Sequence, residues 1–327
     1  MTKILGIGNA LTDVLVHIPD EKLLCELQLE KAAMSHVDEQ KMHRVHEAIQ
    51  PFSPQRATGG SAANTIHALA VLGVPVGFVG SVGDDETGRF FASSQQRRGI
   101  DTRLHVKEGA LSGVATTLIT PDGERTFATY LGAATSIQVD DLECRRDEIL
   151  HVEGYLVQDH DLMEEVLRRA KAAGMLVSYD LASWNIVKND RAFVHHLVED
   201  YADMVFANEE EAAAFSGQDD PRVALSQLAG LTQIAVVKVG KRGAYGQCGA
   251  QVAFVPGLDR KAVDTTAAGD FFAAGFLYGY VHGDSLEASL DTGNRLAGEV
   301  IQVMGTQLSE ERIRAAVGGE SGLLGRG

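Results

Sequence analysis

Between residues 161 and 239 the sequence alternates strand-patterned and helix-patterned segments, and that alternation constrains the fold more than any other feature. Apolar runs at 176–179, 203–207 and 234–239 read as strands; 161–173, 190–200, 209–215 and 221–229 read as helices. Strand and helix in succession imply a parallel sheet with both faces covered. The first half is less regular. Residues 3–8 and 14–18 read as short strands separated by a turn-prone Asn9 to Asp13, and 74–82 reads as a further strand. Helical patterns occupy 37–49, 65–72 and a stretch from Glu86. Residues 114–120 and 125–131, split by Pro121-Asp122-Gly123, carry a hairpin signal. The hairpin and the early strands do not fit the alternation and predict a small β subdomain inserted into the first half.

Composition bounds the function classes. At 327 residues and 45% hydrophobic, the chain can bury one large core with an attached subdomain. A net charge of -16 argues against nucleic acid, whose phosphates would be repelled, yet a helix N-terminus can hold an anionic nucleotide inside an acidic protein. Cys25, Cys144 and Cys248 form no CxxC pair, which fits a reducing compartment. The N-terminal run reaches Asp13 too early for a secretory signal, and no segment is apolar for long enough to span a bilayer. The expectation is a cytoplasmic protein with no membrane partner. The tail GGESGLLGRG is expected to be disordered.

The sharpest chemical signal is Asp264-Thr265-Thr266-Ala267-Ala268-Gly269-Asp270, followed at once by FFAAGFLYGYV. A loop of small residues entering a helix presents free N–H groups at the positive end of the helix dipole, suited to phosphate or to charge developing on a transferred phosphoryl group. Asp270, taken as the last loop residue, can accept a proton from an attacking hydroxyl; it reads equally well as an ordinary N-cap. Far upstream, Thr58-Gly59-Gly60-Ser61-Ala62-Ala63-Asn64 precedes a helix. Gly59 and Gly60 permit close backbone approach to a ligand, and Asn64 offers both donor and acceptor.

The segment DTTAAGDFFAAGFL closely resembles the C-terminal signature of the ribokinase-like (PfkB) carbohydrate kinases, and TGGSAAN resembles their N-terminal signature. The resemblance extends to about residue 310. It implies a three-layer α/β/α sandwich with a central, mostly parallel sheet and a small β-sheet lid, built from segments near 10–18, 31–37 and 114–131. Residues 1–310 would form the kinase domain, and 311–327 a helix end and flexible tail. It implies Asp270 as catalytic base and Ala267, Ala268 and Gly269 as the anion hole, with Ala267 standing where the commonest version has Gly. Asn208 and Glu211 would organise Mg²⁺ and the ATP phosphates, mainly through water. On their own these two read as a capped helix with an acidic first turn. Lys238, Gly240 and Gly243 resemble the nucleotide-binding loop, which otherwise reads as a hairpin turn, and Asn294 falls on a helix that lines the adenine pocket in the family. Potassium near Asp264 and Thr266 is a further expectation of the family.

The substrate side rests on Asn9, Asp13, Gly59, Gly60, Ser61 and Asn64, with Arg125 as a lesser candidate for a phosphate or substrate contact. Asp13 can accept two hydroxyl donors from a vicinal diol; elsewhere it would read as a turn-stabilising residue. The Asn-x-x-x-Asp arrangement and the hairpin DGERTFATYLGAA resemble the adenosine-kinase branch. The expected activity is ATP-dependent phosphorylation of a primary hydroxyl, with adenosine or a related ribonucleoside foremost. The alternatives are ribose, fructose or a keto-deoxy sugar acid, or a non-catalytic sugar- or nucleotide-binding relative. A monomer or a lid-mediated homodimer would fit. Gly6-Ile7-Gly8 lacks the third glycine of a dinucleotide fingerprint, and no GxxxxGK[ST] occurs. Trp184 and the aromatics of 271–280 read as core or pocket wall.

Overall fold

The computed structural model describes residues 2–318; the expected flexible tail lies outside them from residue 319 onward. Fourteen strands occur among the described residues. In chain order they are β1 (Ile4–Ile7), β2 (Leu11–His17), β3 (Met34–His36), β4 (Gln55–Gly59), β5 (Val76–Gly83), β6 (Asp101–Lys107) and β7 (Gly113–Ile119). There follow β8 (Arg125–Tyr130), β9 (Ile149–Glu153), β10 (Leu176–Asp180), β11 (Met204–Asn208), β12 (Ile234–Lys238), β13 (Gly243–Cys248) and β14 (Gln251–Pro256).

Nine strands form one sheet in the order β14-β13-β12-β11-β10-β9-β1-β5-β6, and only the β12–β13–β14 pairings at one end are antiparallel. Its central strands are apolar almost throughout, as strands buried on both faces must be. Alternate residues then serve opposite faces. Met204 and Phe206 of β11, with Ile234 and Val236 of β12, join a core cluster that includes Phe271 and Phe276. Val205, Ala207, Ala235 and Val237 point the other way, into a cluster that includes Met163, Leu197 and Phe215. Two cores on two faces make the three layers. The helix Ala268–His282 is buried along most of its length and lies close against Leu286–Val300, because a Cβ on Gly275 would stand 2.5 Å from the Thr292 carbonyl oxygen.

The second sheet has five strands, ordered β3-β8-β7-β2-β4, over a separate core holding Val14, Val16, Leu24 and Ile49. The lid segments expected from the sequence all belong to it, and β4 adds a fifth strand. Two expectations need correction. The early strands do not form one subdomain: β1 pairs with β5 and β9 inside the large sheet, and only β2 crosses to the small one. Asp13 is not in a turn either, since β2 starts at Leu11 and pairs Asp13 with Ala57 and Ala115.

Candidate active site

Four neighbouring parallel strands end in polar residues at one rim of the large sheet: Glu153 on β9, Asp180 on β10, Asn208 on β11 and Lys238 on β12. Ligands of open α/β sheets lie beyond such carboxyl ends. Here a cavity of about 790 Å³ lies between that rim and the small sheet, and all four residues line it. So do Asn9, Asp13, Gly60, Ser61, Asn64 and Glu211, together with Gly240, Gly243 and Asn294 and the run from Asp264 to Asp270. Of the catalytic, nucleotide and substrate residues expected from the sequence, only Gly59 and Arg125 are absent from the wall.

Asp270 is in the helix rather than last in the loop. The helix begins at Ala268, its N-cap position is Ala267, and among the described residues no side chain caps it. The N-cap reading of Asp270 therefore fails, and its carboxylate is turned to other partners. Oδ1 accepts from Ser61 Oγ at 2.7 Å, and Oδ2 from Asn64 Nδ2 at 2.9 Å. Desolvation pushes the carboxyl up to about 6, against the lowering pull of those two bonds. Ala267 takes a left-handed φ of 60°, which costs an alanine roughly 1 kcal/mol relative to glycine. The Ala268 amide donates to the Thr265 carbonyl. Among the described residues, those of Ala267, Gly269 and Asp270 have no partner and remain available to an anion.

Lys238 stands beside these amides: a Cβ built on Gly269 would be 3.1 Å from its Nζ. The ammonium pairs with Asp180 Oδ2 at 3.2 Å. Burial alone would lower its pKa, but Asp180 and Glu211 outweigh burial and leave it raised, so the group is a permanent cation at the helix N-terminus. The turn after Lys238 joins β12 to β13, as a hairpin connection would, and also lines the cavity. Asn208 and Glu211 form a full capping box on the helix Glu209–Ser216. Both Glu211 carboxylate oxygens accept from Asn208, at 2.7 Å each, and burial pushes this carboxyl up to about 7. Asn294 Nδ2 donates to the Val255 and Pro256 carbonyls at 3.1 and 3.3 Å, holding the end of β14 against the helix Leu286–Val300.

Across the cavity, burial together with the nearby Asp270 and Asp264 charges pushes Asp13 up to about 7, and among the described residues its carboxylate accepts no hydrogen bond. Gly59 explains how it fits, since a Cβ there would lie 2.1 Å from Asp13 Oδ1. Gly60 has a φ of 96° and passes so close to the Asn9 carbonyl that a Cβ would be 2.2 Å from it.

Two functional-looking residues carried no motif. Glu153 is 1% exposed and accepts from the amides of Asn9 and Ala62 and from Asn9 Nδ2, tying the chain after β1 to the Gly-rich helix start; burial pushes it up to about 7. Asp180 pairs with Lys238. Both are polar strand ends, a signal visible only once the strands are placed side by side.

Arg125 is not a free cation. Its Nη1 reaches Asp264 Oδ1 at 2.6 Å, and its Nη2 donates to the Val263 carbonyl. Asp264 also accepts from the amides of Thr266 at 2.8 Å and Gly305 at 2.7 Å. The carboxylate expected to help hold potassium is thus already occupied. Trp184 is 41% exposed on a short helix, neither core nor cavity wall, whereas Phe271, Phe272 and Phe276 are core.

Comparison with known proteins agrees with this geometry. The family model "pfkB family carbohydrate kinase" matches residues 31–313. An ATP-dependent ribose-1-phosphate kinase of Halopiger xanaduensis is 32% identical over 74% of this chain and 79% of its own length. A 5-dehydro-2-deoxygluconokinase of Geobacillus thermodenitrificans is 28% identical over 80% and 82%. The crystal structure of adenosine kinase from Sinorhizobium meliloti superposes with a TM-score of 0.85 at 32% identity, covering 96% of this chain and 98% of that one. A probable sugar kinase from Rhizobium etli gives 0.86 at 32% identity, covering 97% and 98%. With a ribokinase-like sandwich, a cavity at the strand ends and a family match over most of its length, the chain belongs to the PfkB family of carbohydrate kinases and is a phosphotransferase acting on a small sugar or nucleoside.

Proposed function

We propose that this kinase transfers the γ-phosphoryl group of ATP to the primary hydroxyl of a neutral ribonucleoside, adenosine first among them. The observation that carries the reading is the lining of the small-sheet side of the cavity. Leu11, Leu15, Met34, Phe127 and Leu131 offer an apolar surface to a nucleobase, and Asp13 is an unpartnered acceptor for two ribose hydroxyls. Among the described residues no lysine or arginine lines that side: Lys238, Lys241 and Arg260 stand with the strand ends and the loop after β14, and Arg125 is tied to Asp264. A sugar acid or a sugar phosphate would bring a negative charge toward Asp13, Glu153 and Asp270 without a cation to meet it. The substrates named for the two curated relatives above are both anionic, so this lining favours the nucleoside.

In the proposed reaction Asp13 holds the ribose diol and the primary hydroxyl lies against Asp270. Asp270 accepts its proton as oxygen attacks phosphorus and the bond to the ADP leaving oxygen breaks. Ser61 and Asn64 keep the Asp270 carboxylate aimed, and the amides of Ala267 and Gly269, with Lys238, face the transferring group. Mg²⁺, when bound, neutralises the nucleotide phosphates. Among the described residues no cluster of three or more ligating side chains exists, and both Glu211 oxygens are engaged. That donor set suits an ion held by phosphates and water, with Asn208 and Glu211 in its outer shell. We assign the small sheet as a lid that excludes water, and residues 1–310 as one catalytic unit.

An ADP-release assay with Mg-ATP over adenosine, inosine, guanosine, ribose, fructose and 2-keto-3-deoxygluconate tests the proposal, with Asp270→Asn as control. Turnover of a nucleoside that disappears in the variant is the expected result. Turnover of the sugar acid with none of the nucleosides would overturn it.

A further inference from the structure

Arg125 opens β8 of the small sheet, while Asp264 opens the loop that leads into the helix Ala268–His282. They meet as an ion pair in which Asp264 is 2% exposed and Arg125 20% exposed. Three of the roughly four lone-pair positions of the Asp264 carboxylate are filled, by Arg125 and the amides of Thr266 and Gly305. The Val263 carbonyl is filled by the second terminal nitrogen of the same guanidinium. A buried carboxylate beside a peptide carbonyl is the kind of oxygen donor pair that suits a hard metal cation. In this chain a side chain already holds both.

We propose that Arg125 is the resident cation of this loop, so that phosphoryl transfer needs no bound potassium. Two observations carry the assignment. The buried charge of Asp264 is already matched, and a metal ion placed in contact with the same oxygens would sit against a guanidinium in a medium that screens poorly. The planar fork also reaches two acceptors at once, carboxylate and carbonyl, which a lysine ammonium on a single point cannot reproduce with the same geometry. The consequence reaches the chemistry through the backbone. Asp264 anchors the Thr266 amide, Thr266 precedes the left-handed Ala267, and the unpartnered amides follow directly. Arg125 is therefore a positioning residue, acting through Asp264 on the amides that face the phosphoryl group. The kinetic arm of the test rests on the phosphotransferase reading; the thermal arm does not.

The full chain is assayed with Mg-ATP and adenosine in choline chloride, then with lithium, sodium, potassium or guanidinium chloride at equal ionic strength. The wild-type kcat is expected to stay within about twofold across the series. Arg125→Ala in choline is expected to lose roughly 10²-fold, the cost of loosening a reacting geometry. Added guanidinium or potassium is expected to restore much of that loss and lithium to restore little; Arg125→Lys should fall between wild type and Arg125→Ala. In parallel, melting of the ligand-free proteins should show potassium raising the Tm of Arg125→Ala above its value in choline while leaving wild type unmoved. If no compound is turned over, the melting series still decides. Wild-type activation of about tenfold or more by potassium, or a potassium-specific rise in wild-type Tm, would overturn the proposal, as would an Arg125→Ala variant that no cation rescues.

Discussion

Asn64 Nδ2 donates to Asp270 Oδ2 at 2.9 Å, joining the start of the Gly-rich helix to the first turn of the buried one across 206 residues of sequence. With Ser61 on the other oxygen, the carboxylate is held in one orientation before any substrate arrives. Replacing Asp270 by Asn keeps volume and most of these contacts while removing the base. Turnover is expected to fall by roughly 10²–10⁴-fold, the usual worth of a general base. Mg-ATP should still raise the Tm of the variant. A variant with normal kcat would remove Asp270 from the mechanism.

The same pair sets a pH dependence. Asp270 works as a base only when ionised, and it titrates near 6. Activity should therefore rise with pH and approach its plateau above about 7. Asp13 contributes to this acid limb, so the Asp270 component needs its own marker. Asn64→Ala removes a hydrogen bond that favours the ionised form, and should move the limb to higher pH by roughly half a unit to one unit. A profile of kcat/KM against pH for both proteins checks this; coincident limbs would contradict it.

Asp13, Glu153 and Glu211 are each held near 7, well above the ordinary carboxylate range, chiefly by burial. Between about pH 4 and 7 the folded protein therefore binds more protons than the unfolded chain, and stability falls as pH rises through that window. Their favourable contribution is complete below about 4 and lost above about 7. Asp13→Asn should flatten the slope and stabilise the ligand-free protein at pH 7.5 by up to about 4 kcal/mol, while abolishing nucleoside binding. Thermal melts from pH 5 to 8, with and without nucleoside, read both effects. An unchanged slope would mean that Asp13 is not the strained group.

Gly59 makes room for Asp13, since a Cβ would come within 2.1 Å of Oδ1. Gly59→Ala is expected to raise KM for the nucleoside by about tenfold or more, through displacement of one acceptor by roughly 1 Å, and to leave the KM for ATP within about twofold. Steady-state kinetics with each substrate varied in turn separates the two; equal changes in both constants would point to a general distortion instead.

Much of this architecture was legible in the sequence because the central strands carry it locally. Met204–Asn208 and Ile234–Lys238 are short apolar runs between amphipathic helices, and the two glycine-rich motifs name the residues flanking the cavity. What escaped notice depends on neighbours. Gln55–Gly59 has the sequence QRATG, with little β preference, and becomes a strand only because β2 offers it an edge. Ile149–Glu153 includes a histidine and a glutamate. It reads as polar until His151 meets Ser178 Oγ at 2.9 Å and Glu153 meets the amides of Asn9 and Ala62. Arg125 resembled a ligand contact because no sequence pattern pairs it with Asp264, 139 residues away.

The row of polar strand ends has a consequence for how such a protein can change. Glu153 lies in register with Asp180, and Asn208 with Lys238, on four strands about 4.8 Å apart. The sheet therefore works as a ruler, spreading the strand ends across roughly 14 Å in two tiers, with Asn208 and Lys238 two residues further along than Glu153 and Asp180. Because each group is the last residue of its strand, it can be exchanged without disturbing the apolar residues behind it. The frame and the chemistry are separable, and new specificities can be written at the strand tips on an unaltered apolar interior, provided that partnered tips such as Asp180 and Lys238 change together.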